Sequence, residues 1–173
     1  SLEWLPVDLP ALLRESIEEN RMYAHERGVR LDIGSVGQPA VVLGDAFAIR
    51  QVVDNLISNA VKFSNVGDTV EGTLTTNNGR VRVSIRDHGR GIPEGMEEKV
   101  FGRFGQLDDD GQKSTQGSGL GLHISRQLAR QMAGDLFYES EVGVGSTFHV
   151  EFGIGAGAET TPQAAPSALQ STD

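Results

Sequence analysis

The sequence has no cysteine, one tryptophan, two tyrosines and three methionines among its 173 residues. Without a thiol it can form no disulfide, cysteine nucleophile or cysteine zinc site, and its four histidines are scattered with no ligand-like pairing. No stretch approaches the roughly 18 apolar residues of a membrane helix. The opening SLEWLPVDLP also lacks the basic start and apolar run of a signal peptide. The expectation is a soluble, cytoplasmic domain that makes no membrane contact itself, within a parent protein that is free to be membrane-anchored. Basic charge is scarce as well: 15 Lys and Arg against 24 Asp and Glu give a formal net charge of −9. That balance repels a phosphate backbone, and no basic or aromatic stripe offsets it, so nucleic acid is excluded as a partner. An anionic ligand has to be held by local groups.

Glycine is what the chain has in abundance. Its 22 glycines gather in a few short runs. The length suits one compact domain with a core of its own. Asp8 reads as a helix N-cap, followed by Leu9, Leu12, Leu13 and Ile17 at helical spacing, with Gly28 as the stop. Val29 to Ile33 alternates as a strand, and Ala40 to Leu43 reads as a second short one. Gly44-Asp45 turns the chain into another helix, on which Ile49, Val52, Val53, Leu56, Ile57 and Ala60 form an unbroken apolar face. Val70 to Thr75 and Arg80 to Arg86 read as a hairpin closed at Asn78-Gly79. From Gly105 to Gln116 the chain is polar with little periodicity, as expected of a mobile loop. A further helix carries Leu122, Ser125, Leu128, Ala129 and Met132 on one side and ends before Gly134. The final pair of strands spans Asp135 to Ser140 and Ser146 to Phe152. Residues 1–152 are read as the domain. Residues 153–173, mostly Gly, Ala, Pro, Gln, Ser and Thr, are read as a disordered tail or linker that buries too little apolar surface to order.

Three local patterns carry chemistry. Asn55, Asn59 and Lys62 stand at i, i+4 and i+7 on the second helix and so share one stripe beside its buried face. Two amide oxygens and an ammonium suit a hydrated metal and a polyphosphate, although a solvated helix flank has the same composition. Asp87-His88-Gly89-Arg90-Gly91 follows a strand. An ionised carboxylate only accepts hydrogen bonds, so Asp87 matches the amino group of adenine and opposes the carbonyl of guanine, and the two glycines let a ligand approach. Gly117-Ser118-Gly119-Leu120-Gly121-Leu122 opens a helix, where backbone N–H groups favour phosphate. The dinucleotide pattern GxGxxG fails at Leu122, and no Gly-Lys pair provides a P-loop.

The order of these patterns resembles the GHKL ATPase superfamily, in its histidine-kinase branch. Asn55–Ser64 resembles the N box, Asp87–Gly91 the first glycine box, Phe101–Phe104 the F box and Gly117–Leu122 the second glycine box. Gly145-Ser146-Thr147-Phe148 resembles the closing strand motif. The resemblance implies an α+β, two-layer sandwich (the Bergerat fold), a mixed sheet covered on one face by three helices, with a flexible ATP lid at about Gly105–Gln116. It implies ATP and Mg²⁺ as cofactors, Asn59 as the metal ligand, and Asn55, Asn59, Lys62 and Arg103 as the residues that serve transfer. It further implies nucleotide contacts from Asn55, Asn59, Lys62, Phe63, Asp87, Gly89, Gly91, Ile92, Phe101, Phe104, Gly117, Ser118, Gly119, Leu120, Gly121, Leu122 and Thr147.

The implied activity is an ATP-dependent protein histidine kinase of two-component signalling. Its partners would be its own dimerisation domain, which carries the acceptor histidine, and a response regulator. The superfamily's hydrolases carry a glutamate where this chain has Asn55, and an amide cannot act as a general base, so hydrolysis is not the designed reaction. None of His25, His88, His123 and His149 stands in an acceptor motif. The competing reading is a nucleotide-binding scaffold that has lost its own transfer activity.

Overall fold

The computed structural model describes residues 2–37, 39–102 and 121–154. The described chain runs β1 (Leu5–Asp8), α1 (Leu9–Glu26), β2 (Arg30–Ile33), β3 (Val41–Gly44), α2 (Ala46–Lys62), β4 (Thr69–Asn77) and β5 (Arg80–Asp87). It continues with α3 (Glu97–Val100), α4 (Leu122–Gln131), β6 (Asp135–Glu141) and β7 (Gly145–Gly153). Five strands form a mixed sheet in the order β2-β4-β5-β7-β6, with β2 parallel to β4 and the other pairs antiparallel. Helices α1, α2 and α4 pack together and onto one face of it. This is the two-layer α+β sandwich expected from the sequence.

Strand alternation places the core on the helix side. Val81, Val83 and Ile85 on β5 and Phe148, Val150 and Phe152 on β7 are buried under the helices, while Arg80, Arg82, Ser84 and Arg86 line the open face. Asp87 continues the buried row at the end of β5, which is how a carboxylate comes to lie at the rim of the core. Gly72 is needed under α1, since a Cβ there would lie 2.8 Å from Ile17 Cδ1. Helix α2 buries ten of its 17 residues because α1 and α4 cover it from two sides. Removing a large side chain such as Leu56, which is 1% exposed, would cost about 2–5 kcal/mol.

The caps follow their residue types. Asp8 and Asp45 accept from Ala11 N–H and Ala48 N–H at the starts of α1 and α2. Helix α1 closes with Gly28 at φ 73, its N–H bonded to His25 O while Val29 N–H bonds Ala24 O. The β4–β5 turn has Asn78 at φ 54 and Gly79 at φ 74, the left-handed pair that matches strand twist.

The structure adds detail at three places. The segment at Ala40–Leu43 does form a strand, but it pairs with Leu5–Asp8 in a separate two-stranded ribbon and does not join the main sheet. The left-handed residue after α4 is Ala133, at φ 62, with Gly134 following it. Gly134 serves packing, because a Cβ there would fall 2.1 Å from Glu151 O on β7. The folded unit also passes the boundary drawn at Phe152: β7 runs to Gly153, and Ile154 donates to Gly79 O and packs on the core. Residues 155–173 lie outside the described residues.

Candidate functional site

The end of α2 meets the loop after β5 at Phe63 and Gly89, and two turns earlier the same helix meets α4 at Asn55 and Ser125. On α2, Asn55 is buried at 2% exposure, and its Nδ2 donates to Ser125 Oγ on α4 at 2.9 Å. Asn59 is half-buried one turn on, and Lys62 ends the helix with its Nζ 5.1 Å from the centroid of the Phe63 ring. The stripe is therefore not a simple solvated flank, since its first member lies inside the helix pair. Asp54, next to Asn55, faces the other way. It accepts from Arg50, Asn20 and Ser16, tying α2 to α1, which makes its role structural.

Asp87 is 4% exposed, and its Oδ1 accepts from Gly89 N–H at 2.9 Å and from Ser146 N–H at 3.2 Å. Burial raises its pKa above the ordinary carboxylate value, while these two N–H bonds pull in the opposite direction. The loop is braced on two sides. Ile92 N–H donates to Ser140 Oγ, which pairs with Ser146 Oγ at 2.7 Å, and Gly143 N–H donates to Arg90 O at 2.7 Å.

The glycines here have a different use from the one expected. A Cβ on Gly89 would lie 2.3 Å from Phe63 O, and one on Gly91, at φ 81, would lie 2.3 Å from Glu141 O. What they permit is the close packing of the Asp87 loop on the end of α2 and on the β6–β7 turn. Gly145, at φ 144, does the same from β7, with Asp87 O 2.2 Å from its Cβ position. Gly121, at the N-cap of α4 with half-buried Leu122 beginning the helix, is the one expected and described glycine whose Cβ position has no atom of the described residues within 4 Å.

Thr147 is not brought to the site. It pairs with Arg86 and Glu139 on the open face of the sheet, because alternation along β7 turns it away from Asp87. Its neighbour Ser146 is the residue that touches Asp87, and it stood inside the same quoted motif. Phe101 is buried, tilted against Tyr138 at 5.9 Å, with the Arg126 guanidinium 4.0 Å above its ring. Sequence reasoning missed Ser125 as a partner of Asn55, although a serine among the apolar residues of α4 was the available signal. Arg103, Phe104, Gly117, Ser118, Gly119, Leu120 and the segment read as the lid, Gly105–Gln116, lie outside the described residues.

Among the described residues no group of three His, Cys, Asp or Glu could hold a metal ion. A divalent cation at Asn59 would thus be held by amide oxygen together with ligand oxygens, a pattern that suits Mg²⁺ carried by a polyphosphate. A buried acceptor at Asp87 and the backbone N–H groups at the α4 N-terminus suit the two ends of an adenine nucleotide.

Fold and site together define a nucleotide-site α/β sandwich without a P-loop or dinucleotide fingerprint. The chain belongs to the family of histidine kinase-, DNA gyrase B- and HSP90-like ATPases, whose model matches residues 44–155. It is 35% identical over 145 residues to the aerobic respiration control sensor protein ArcB of Escherichia coli, covering 83% of this chain and 19% of that one. Full-length ShkA, solved in complex with AMPPNP, superposes with a TM-score of 0.76 at 33% identity, over 90% of this chain and 32% of that one. The histidine kinase ThkA, solved with the response regulator protein TrrA, gives 0.72 at 25% identity, over 95% and 44%. The chain thus spans from about a fifth to less than half of these proteins. Among the described residues no helix is long and apolar enough to cross a membrane.

Proposed function

We propose that this domain binds Mg·ATP between α2, the Asp87 loop and the start of α4, and presents the γ-phosphoryl group to a histidine on a separate dimerisation domain. The observation that carries this reading is the juxtaposition of Asp87, a buried carboxylate, with the end of α2 through Gly89. Asp87 accepts from the adenine amino group. Asn59 offers amide oxygen to Mg²⁺, which neutralises phosphate charge when bound, and Lys62 adds its ammonium to the same end. Asn55, an amide tied to Ser125, supplies no base to water, so bound ATP waits for the acceptor histidine. Positioning and charge neutralisation account for most of the catalysis in such transfers. The family membership and the nucleotide and response-regulator complexes of similar proteins support this reading, with a response regulator as the downstream partner.

The test uses γ-labelled ATP. The domain alone should neither label itself nor turn ATP over quickly. Adding a dimerisation domain with its acceptor histidine should give acid-labile label on that domain, slowly, because separation forfeits the effective concentration of a tether. Label on the fragment itself would refute the assignment. Absence of label across several acceptor domains, with ATP binding intact, would favour a scaffold.

A further inference from the structure

We propose that Arg90 is a positioning residue for the base end of this nucleotide site, acting through the ring of Phe63. The inference rests on the nucleotide reading above. Phe63 caps the C-terminus of α2, and its carbonyl lies 2.3 Å from the Cβ position of Gly89, which is itself 3.3 Å from Asp87 Oδ1. The residue that would read the base and the Phe63 backbone therefore meet at one glycine. Arg90 follows immediately, and its guanidinium carbon lies 5.5 Å from the centroid of the Phe63 ring, within cation–π range. Its backbone is fixed independently, since Arg90 O accepts from Gly143 N–H at 2.7 Å in the β6–β7 turn.

A side chain with four rotatable bonds thus starts from a pinned backbone and lies against the ring of half-buried Phe63, whose carbonyl meets the Asp87 loop at Gly89. With the guanidinium in place, the ring stays where it can wall the base, and its rotamer freedom is not lost anew on binding. Lys62 approaches the same ring at 5.1 Å, but from α2 itself, and it already has a role toward phosphate. Arg90 belongs to the other segment of the site, so its contact ties the Asp87 loop to α2 by side chain as Gly89 does by backbone.

The test separates a role through the ring from a role through charge. Arg90→Ala should weaken ATP, ADP and AMP by one common factor of about two to five, the range an exposed cation–π contact supplies. Arg90→Lys should restore most of the affinity, and Arg90→Ala added to Phe63→Leu should cost nothing further. Arg90 is exposed, so the nucleotide-free melting temperature of Arg90→Ala should fall by no more than about 1–4 °C, the cost of one exposed cation–π contact. A loss that grows with the number of phosphates would overturn the proposal, since Arg90 would then act as a charge. So would full additivity with Phe63→Leu, or wild-type affinity in Arg90→Ala. Failure of the unaltered domain to bind any of the three nucleotides would instead remove the nucleotide reading, and this inference with it.

Discussion

Asn55 Nδ2 donates to Ser125 Oγ at 2.9 Å across the α2–α4 contact, where the two residues are 2% and 0% exposed. A bond this deep holds the Asn55 stripe in register with the helix that follows the second glycine box. Ser125→Ala should cost about 1–3 kcal/mol, the range for a buried polar group deprived of a partner. Asn55→Leu combined with Ser125→Ala should cost less than the two single changes summed, because neither member of this bond is then left without the other. Urea unfolding with an unchanged slope reads this directly. A Ser125→Ala midpoint equal to wild type would show that the bond adds nothing to stability.

Asn59 and Lys62 are the members of the stripe nearest the end of α2, and the proposed role asks each to contribute to Mg·ATP affinity. With ligand at about a hundredfold its Kd, binding should stabilise the wild type by about 2.7 kcal/mol, which a thermal melt detects. Asn59→Ala and Lys62→Ala should each shrink that shift while leaving the nucleotide-free melt close to wild type, since both residues are half-buried at most. Retention of the full shift in both variants would reduce these two residues to a helix flank.

The α2 face, the hairpin turn and the Asp8 cap were legible because each depends on residues within a few positions of one another. What was not legible depended on contacts distant in sequence. Nothing local told Ala40–Leu43 that its partner would be Leu5–Asp8, a segment with a proline in it. Gly89 and Gly91 looked like clearances for a ligand, yet the atoms that exclude a Cβ belong to Phe63 and Glu141, 26 and 50 residues away in sequence. Thr147 and Ser146 were separable only through the register of β7 against β5, which decides the face each occupies. The four expected histidine non-acceptors include His149, which the structure buries on the open sheet face between Ser84 and Glu139, bonded to both.

Ala133 carries a correctable strain. It occupies φ 62 between the bonds Ala133 N–H to Arg130 O and Gly134 N–H to Ala129 O, the left-handed position that glycine fills at the end of α1. A left-handed alanine costs about 1–2 kcal/mol against its preferred conformations. Glycine removes that cost but adds freedom to the unfolded chain, so Ala133→Gly should stabilise by about 0.5–1 kcal/mol net. The residue is exposed, and no packing is lost. A lower melting temperature for Ala133→Gly would contradict this account.

The proposed role of Asp87 predicts that stability and nucleotide affinity depend on pH in opposite directions. Burial raises its folded pKa, against the opposing N–H bonds of Gly89 and Ser146, so the nucleotide-free fold holds its proton more tightly than the unfolded chain does. Its contribution to stability is therefore fully present below the ordinary carboxylate value of about 3.9 and is lost as pH rises through the raised folded value. An adenine amino group donates a hydrogen bond and favours the ionised carboxylate, so nucleotide affinity should rise with pH through that same window and level off above it. The nucleotide's own phosphates titrate as well, and Asp87→Asn, which has no proton to lose, serves as the reference. The ratio of wild-type to Asp87→Asn affinity, measured calorimetrically across the window, should climb with pH. Asp87→Asn should also lose most of the preference for ATP over GTP, because its amide can turn a donor toward the guanine carbonyl. A ratio that stays flat with pH, or a wild type that binds the two nucleotides equally, would remove Asp87 from the base-reading role.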